Sequence, residues 1–207
     1  FNWWIIATAG RLVLTSVVAL ASIVFAGARW HRAGVHYHPL FQFQLMGLAG
    51  AFLTADLFNL FVFFEILLIA SYSLLLHGQG RARVAAGLHY VVLNLFGSAL
   101  FLIALGMLYG VAGTLNMADL AHKVGLANAE QRPLLMAAGL LLLVVFGLKA
   151  AILPLYFWLP RAYSAATAPV AALFAIMTKV GVYSILRVYT LVFGTAAGPL
   201  EGLVHGW

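Results

Sequence analysis

The chain has no cysteine and very few charged residues. Its 207 residues include 11 Lys or Arg and only 5 Asp or Glu, so that 8% are charged. The absence of cysteine excludes disulfides, thiolate metal sites and iron–sulfur clusters. A soluble domain has about 25% charged residues, so this composition excludes water as the solvent for most of the protein surface.

Hydrophobic residues make up 65% of the chain and form long uncharged runs. A helix of about 20 apolar residues crosses the hydrocarbon core of a bilayer, which is about 30 Å thick. The runs therefore predict an all-α integral membrane protein with about six transmembrane helices. The excess basic residues are scattered over helix ends. There they indicate which side of the membrane each loop faces, rather than binding of nucleic acid.

The runs and the turns between them predict the organisation of the chain. A flanking transmembrane helix and a basic loop occupy 1–37, a five-helix unit follows at 38–194, and a tail covers 195–207. A first residue Phe1, in place of Met, predicts a piece of something larger. The five spans of the unit are predicted at 40–54, 57–76, 84–111, 133–158 and 169–193.

One proline interrupts a predicted span. Pro154 lies inside 133–158, where it removes a backbone donor and clashes with the preceding helical turn. The span is therefore predicted to be kinked or broken just after Lys149. Broken helices occur in membranes only where protein or a water-filled cavity satisfies the freed backbone groups.

Three ionisable residues fall near the middle of predicted spans: Glu65, Lys149 and Lys179. Each costs about 2.5–3.5 kcal/mol on insertion scales, so such residues normally face the bundle interior and mark ion or proton paths. Glu65 can pair with either lysine, and a string of coupled titratable groups is a proton relay. The alternative is that a Glu–Lys pair only holds helices together.

Four further polar residues carry weaker signals. His89 is either a proton carrier or a hydrogen-bonded residue near the membrane interface. Arg187 is either buried and functional or directed outward to the lipid headgroups. Asn94 and Ser98 are four residues apart on one helix face, where they line a hydrated path or bind a neighbouring helix.

The sequence contains no signature of an enzyme or of a cofactor site. It has neither a glycine-rich phosphate loop nor a nucleophile motif such as G-x-S-x-G. His31, His36 and His38 share one loop without acids or thiolates, so they are predicted to be solvated rather than to bind a metal. We therefore expect a transporter component with no cofactor and no metal.

Three runs resemble a known family of membrane proteins. They are DLFNLFVFFEILLIASYSLLLHG at 56–78, FGLKAAILPLYFWLP at 146–160 and APVAALFAIMTKVGVYSILR at 168–187. Each resembles a helix of the antiporter-like membrane subunits, with the membrane glutamate, the broken helix and the relay lysine in that order. This family is shared by Mrp-type multisubunit cation/proton antiporters, whose D subunit the chain resembles in particular, and by respiratory NADH:quinone oxidoreductase.

The resemblance implies a function and a set of residues. Glu65, Lys149 and Lys179 would relay protons. His89, Pro154 and Arg187 are secondary candidates on the ground of their own positions, not of the resemblance. The chain would hold one of the family's two inverted five-helix repeats, in a subunit that exchanges sodium or potassium for protons. Its partners would be other membrane subunits, and its location the cell inner (plasma) membrane. The alternatives are a proton-pumping subunit of an NADH:quinone oxidoreductase-like complex and a structural piece without transport.

Overall fold

The computed structural model describes residues 2–28, 36–77 and 81–194. The tail predicted at 195–207 and most of the basic loop, including His31, lie outside the described residues. Within the described ranges the backbone is almost entirely helical. The eight helices found there are α1 (Asn2–Gly27), α2 (Tyr37–Leu53), α3 (Leu57–Leu76), α4 (Arg81–Ala112), α5 (Met117–Gly125), α6 (Arg132–Ala150), α7 (Trp158–Ala165) and α8 (Ala168–Leu191).

Five of the described helices, α1, α3, α4, α6 and α8, are long and apolar enough to cross a membrane. Helix α2 has 17 residues, and at about 1.5 Å per residue it measures about 26 Å, slightly less than the hydrocarbon core. Apolar side chains cover the outside of the bundle as well as its interior. The predicted all-helical membrane bundle is therefore confirmed.

Helices α2 and α3 form an antiparallel hairpin whose close contact depends on two glycines. A Cβ on Gly47 would lie 2.6 Å from the Cβ of Leu67, and one on Gly50 would overlap the ring of Phe63. Gly47 lies against Leu67 and Gly50 against Phe63. Because the second contact is later in α2 but earlier in α3, the two helices run in opposite directions. Small residues of this kind allow close backbone approach between membrane helices.

The turn before α3 is tied to the turn before the short helix α5. The side chains of Asp56 and Asn116 cap the two helices by accepting backbone N–H groups, as good N-cap residues do. The N–H groups of Leu57 and Met117 each donate across to the other turn at 2.9 Å. These paired turns fix the start of α3, and with it the depth at which Glu65 lies two turns later.

The predicted break is confirmed at the end of α6. This helix stops at Ala150, one residue after Lys149, and Ala151 takes a left-handed backbone conformation with φ 55°. The chain resumes as a helix only at Trp158, whose indole N–H donates to the carbonyl of Leu148 at 2.9 Å. The α7 helix thus adds a second donor to a carbonyl in the last turn of α6, which also accepts the N–H of Ala151 at 3.1 Å.

The end of α6 also packs directly against α8. A Cβ on Gly181 would lie 2.5 Å from the backbone nitrogen of Ala150 and 2.7 Å from its Cα. The neighbouring atoms are backbone, which cannot rotate away. Gly181 therefore brings α8 to the end of α6 more closely than any other residue type permits.

We expect Gly181→Ala to destabilise the protein, because overpacking a well-filled contact costs about 1–3 kcal/mol. Gly106→Ala is the matched control, since a Cβ at this helical glycine meets nothing within 4 Å. The control should be neutral or slightly stabilising. The measurement is the thermal unfolding midpoint of the purified complete complex, and equal midpoints for the two variants would contradict the close contact.

Candidate functional site

Three helices bring a carboxylate, a hydroxyl and an amine together beside the break. Ser98 on α4 donates a hydrogen bond to Oε1 of Glu65 on α3. Lys149 on α6 donates from Nζ to the Oγ of the same serine at 3.0 Å. The Ser98 hydroxyl therefore lies between the two ionisable groups and is bonded to both.

Lys149 is enclosed by protein, with 2% of its surface exposed. Its Nζ also approaches the backbone carbonyl of Asn94 at 3.4 Å and lies 5.8 Å from the ring centre of Phe64. The residue occupies the last turn of α6, where the negative end of the helix dipole favours a cation. The break thus supplies part of the electrostatic environment of Lys149.

Two glycines on neighbouring helices allow those helices to approach the end of α6 on either side of this lysine. A Cβ on Gly97 would lie 2.5 Å from Leu148 Cδ2 and 4.0 Å from Lys149 Cε. Gly181 performs the same role on α8, against Ala150. Helix α4 can therefore present Ser98 directly to the lysine, because its neighbour in sequence carries no side chain.

The hypothesis of direct Glu65–Lys149 pairing is replaced by a different geometry. Among the described residues the one ion pair is Asp119–Lys123 on α5, at 3.1 Å. Glu65 and Lys149 are connected through Ser98 instead. The contact between the carboxylate and the amine is thus indirect, through one neutral hydroxyl.

Lys179 lies apart from this cluster. It occupies the middle of α8, is exposed, and together with Arg11 of α1 lines a pocket of ≈ 310 Å³. Other walls of the pocket come from Tyr183 on α8 and from Ala150 at the end of α6. The pocket therefore reaches the residue that follows Lys149, although no described hydrogen bond connects the two lysines.

Arg187 is bound to the protein interior of the bundle rather than directed to lipid headgroups. Its Nη1 donates to the hydroxyl of Tyr183 at 2.6 Å and to the carbonyl of Phe52 at 3.2 Å. The Tyr183 hydroxyl itself donates to the carbonyl of Phe52 at 2.9 Å. Arg11 lies over the same tyrosine ring, 4.7 Å from its centre, so one aromatic ring contacts two guanidinium groups.

The two remaining secondary candidates lie outside these contacts. His89 is half-buried on α4, and its side chain makes no hydrogen bond or ion pair within the described ranges. Pro154 is exposed in the turn between α6 and α7. The structure therefore brings neither residue to the Glu65–Ser98–Lys149 cluster.

Comparison with known proteins adds a family to this geometry. Residues 54–202 match the family described as NADH:quinone oxidoreductase/Mrp antiporter, TM. The matched region contains all three membrane charges and the broken helix. The chain belongs to this family. The resemblance noted in the sequence is thereby confirmed.

The curated relatives that this chain resembles are named as antiporter subunits. The chain is 58% identical over 196 residues to the probable K(+)/H(+) antiporter D subunit of Rhizobium meliloti, covering 95% of this chain and 36% of that protein. It is 46% identical over 196 residues to the Na(+)/H(+) antiporter D subunit of Alkalihalophilus pseudofirmus, with coverage of 93% and 39%. The chain therefore spans little more than a third of the length of these curated relatives.

Solved structures of the family share the fold. The Mrp complex from Dietzia sp. DQ12-45-1b matches with a TM-score of 0.80 and 36% identity, covering 90% of this chain and 35% of that chain. Respiratory complex I from Thermus thermophilus matches with a TM-score of 0.71 and 26% identity, covering 86% and 39%. The helix arrangement described above is thus that of an antiporter-like membrane subunit.

Sequence reasoning misses the roles of Ser98 and Tyr183 in this family member. For Ser98 it favours a contact between helices, although the position in the middle of a span and one turn from Asn94 is a usable signal. Tyr183 carries no signal, because an aromatic residue in an apolar helix is expected to be part of the core. Only the packing of α2 against α8 gives its hydroxyl a carbonyl partner.

We expect Tyr183→Phe to destabilise the bundle, because it removes the hydroxyl that donates to Phe52 and accepts from Arg187. Loss of such a buried group costs about 1–3 kcal/mol. Tyr109→Phe is the control, since Tyr109 is exposed on α4. The measurement is the thermal unfolding midpoint of the complete complex, and a Tyr183→Phe midpoint equal to that of the control would contradict this role.

Proposed function

We propose that this chain is part of a subunit of a multisubunit monovalent cation/proton antiporter, in which Glu65, Lys149 and Lys179 relay protons. The observation that carries the proposal is the Glu65–Ser98–Lys149 cluster at the end of a broken membrane helix, in which Ser98 and Lys149 are buried and Glu65 is half-buried. Curated relatives named as D subunits of K(+)/H(+) and Na(+)/H(+) antiporters support the same function. The exchanged ion is sodium or potassium, and the membrane is the plasma membrane.

The cost of burying the charged groups supports a functional role. A charged side chain in the middle of a bilayer costs several kcal/mol, so it persists where a function requires it. Neutral polar side chains are sufficient to hold helices together. The bundle already has such contacts, for example the 2.8 Å hydrogen bond between Ser71 and Tyr90. Lysine is also suited to proton transfer, because burial changes its proton affinity readily.

Protons would move between the break and the centre of the bundle. The turn that contains Pro154 and Tyr156 is exposed, and it would provide the entrance near Lys149. On the other side of Ala150, water in the ≈ 310 Å³ pocket would connect to Lys179. Lys149 would thus exchange protons with Glu65 through Ser98 and with Lys179 through the pocket.

A second candidate function is proton pumping in a respiratory complex. It is favoured by the structural likeness to complex I from Thermus thermophilus and to the membrane-bound sulfane sulfur reductase, an archaeal respiratory membrane complex, which matches with a TM-score of 0.69 and 34% identity. Both candidates use the same relay. They differ in whether a sodium or potassium gradient alone drives protons across vesicles that contain the complete complex.

We expect Glu65→Gln to abolish exchange, because a positioned proton-transfer group contributes about 100-fold or more to rate. Asp119→Asn, at an exposed acid of α5, is the matched control and should exchange normally. Proton movement in vesicles after addition of Na⁺ or K⁺ is the measurement, with the amount of assembled complex determined in parallel. Normal antiport by the Glu65 variant would refute the relay.

We expect Lys149→Met to abolish exchange as well, while the complex still assembles. The unbranched Met side chain fills the space of the lysine stem, so packing against Gly97 is preserved. Lys123→Met, at an exposed lysine, is the control. Loss of assembled complex with unchanged exchange per complex would favour the alternative in which the chain is a structural piece without transport.

A further inference from the structure

The Ser98 hydroxyl is bonded to side chains of two other helices and, among the described residues, to no backbone carbonyl of its own helix. Ser16, Ser73 and Ser184 each donate to the backbone carbonyl four residues earlier in their own helix. Such bonds are the usual way for a hydroxyl to be satisfied inside a helix. Ser98 instead donates to Glu65 on another helix.

Lys149 occupies the space beside the carbonyl that the ordinary bond would use. The carbonyl four residues before Ser98 belongs to Asn94, and Lys149 Nζ approaches this oxygen at 3.4 Å. The same Nζ donates to Ser98 Oγ at 3.0 Å. With its oxygen accepting from the lysine, the serine directs its single proton to the carboxylate.

We propose that Ser98 is the proton-transfer bridge between Lys149 and Glu65, which depends on the proposed relay function. The ammonium N–H of Lys149 breaks as a bond forms to Ser98 Oγ. The original Oγ–H of the serine breaks as its proton bonds to a carboxylate oxygen of Glu65. The products are a neutral amine, an intact serine and a carboxylic acid, so no charge remains on the hydroxyl.

The reverse transfer uses the same atoms. After the forward transfer the hydroxyl proton, which came from the ammonium, already points to the neutral amine, and the hydroxyl oxygen accepts from the protonated carboxyl group. A hydroxyl carries one donor and two acceptor positions, so both orientations satisfy all three groups. Ser98 is 5% exposed and Lys149 2% exposed, so the step between these two groups occurs inside the protein, whereas Glu65 is half-buried.

The bridge is tested by a pair of variants that differ in one heavy atom. Thr and Val at position 98 have nearly the same shape, but only Thr keeps the hydroxyl. In vesicles containing the complete complex, we expect Ser98→Thr to exchange at a rate near the wild type. We expect Ser98→Val and Ser98→Ala to be slower by about 10- to 100-fold, because a trapped water replaces the hydroxyl only in part.

Ser184→Ala is the matched control, since Ser184 is also buried but bonds only within α8. It should exchange at the wild-type rate. A solvent deuterium isotope effect that differs between Ser98→Ala and Ser98→Thr would report proton transfer, which a merely structural role would not change. Wild-type exchange by Ser98→Val and Ser98→Ala would overturn the bridge.

The outcomes separate the bridge from the relay. If Glu65→Gln and Lys149→Met abolish exchange while Ser98→Ala does not, the relay stands and the bridge is wrong. If none of these three variants changes exchange, the relay itself fails. If Ser98→Thr and Ser98→Val are slowed equally while the complex still assembles, the added methyl group is responsible. The rate of Ser98→Ala then decides. Slow exchange by Ser98→Ala supports the bridge, and wild-type exchange overturns it.

Discussion

The structure depends on one constraint: a helix that ends inside a membrane must have its freed polar groups satisfied by protein. Helix α6 ends at Ala150 with Lys149 in its last turn, and lipid cannot hydrogen-bond either its carbonyls or its amine. The indole of Trp158 takes one carbonyl, and Ser98 accepts from the amine. Helices α4 and α7 are therefore held at the break by hydrogen bonds as well as by packing.

The same constraint explains where the glycines are needed. Polar contacts are short, so the helices that provide them must approach closely, and Gly97 and Gly181 permit this approach at the two sides of the α6 end. Further from the break, packing is by larger side chains, with Phe64, Phe101 and Phe146 stacked edge to face or in parallel. A tight polar centre is thus surrounded by an aromatic core.

The sequence predicted the parts of this arrangement that depend on local chemistry. Hydrophobic runs indicated the membrane class, and Pro154 predicted the break. The rarity of membrane charges selected Glu65, Lys149 and Lys179, of which the structure joins the first two and leaves Lys179 exposed on α8. The hydrogen bonds of Ser98 to Glu65 and Lys149 could not be predicted. They depend on how α3 and α6 are rotated about their own axes where they pack against α4. The contact of Arg187 with Phe52 could not be predicted either, because it requires two helices that are far apart in sequence to pack together.

A neutral hydroxyl between the carboxylate and the amine has an energetic consequence for a proton relay. Coulomb attraction between opposite charges weakens as their separation grows, and the Ser98 hydroxyl keeps the carboxylate of Glu65 out of direct contact with the amine of Lys149. A direct ion pair would therefore favour the charged forms of both groups more strongly than a bridged pair does. The bridge keeps Glu65 and Lys149 coupled while it lowers the energy needed to neutralise both. A relay must do this in every cycle, and a purely structural ion pair never needs to. The indirect geometry is thus consistent with the relay that we propose.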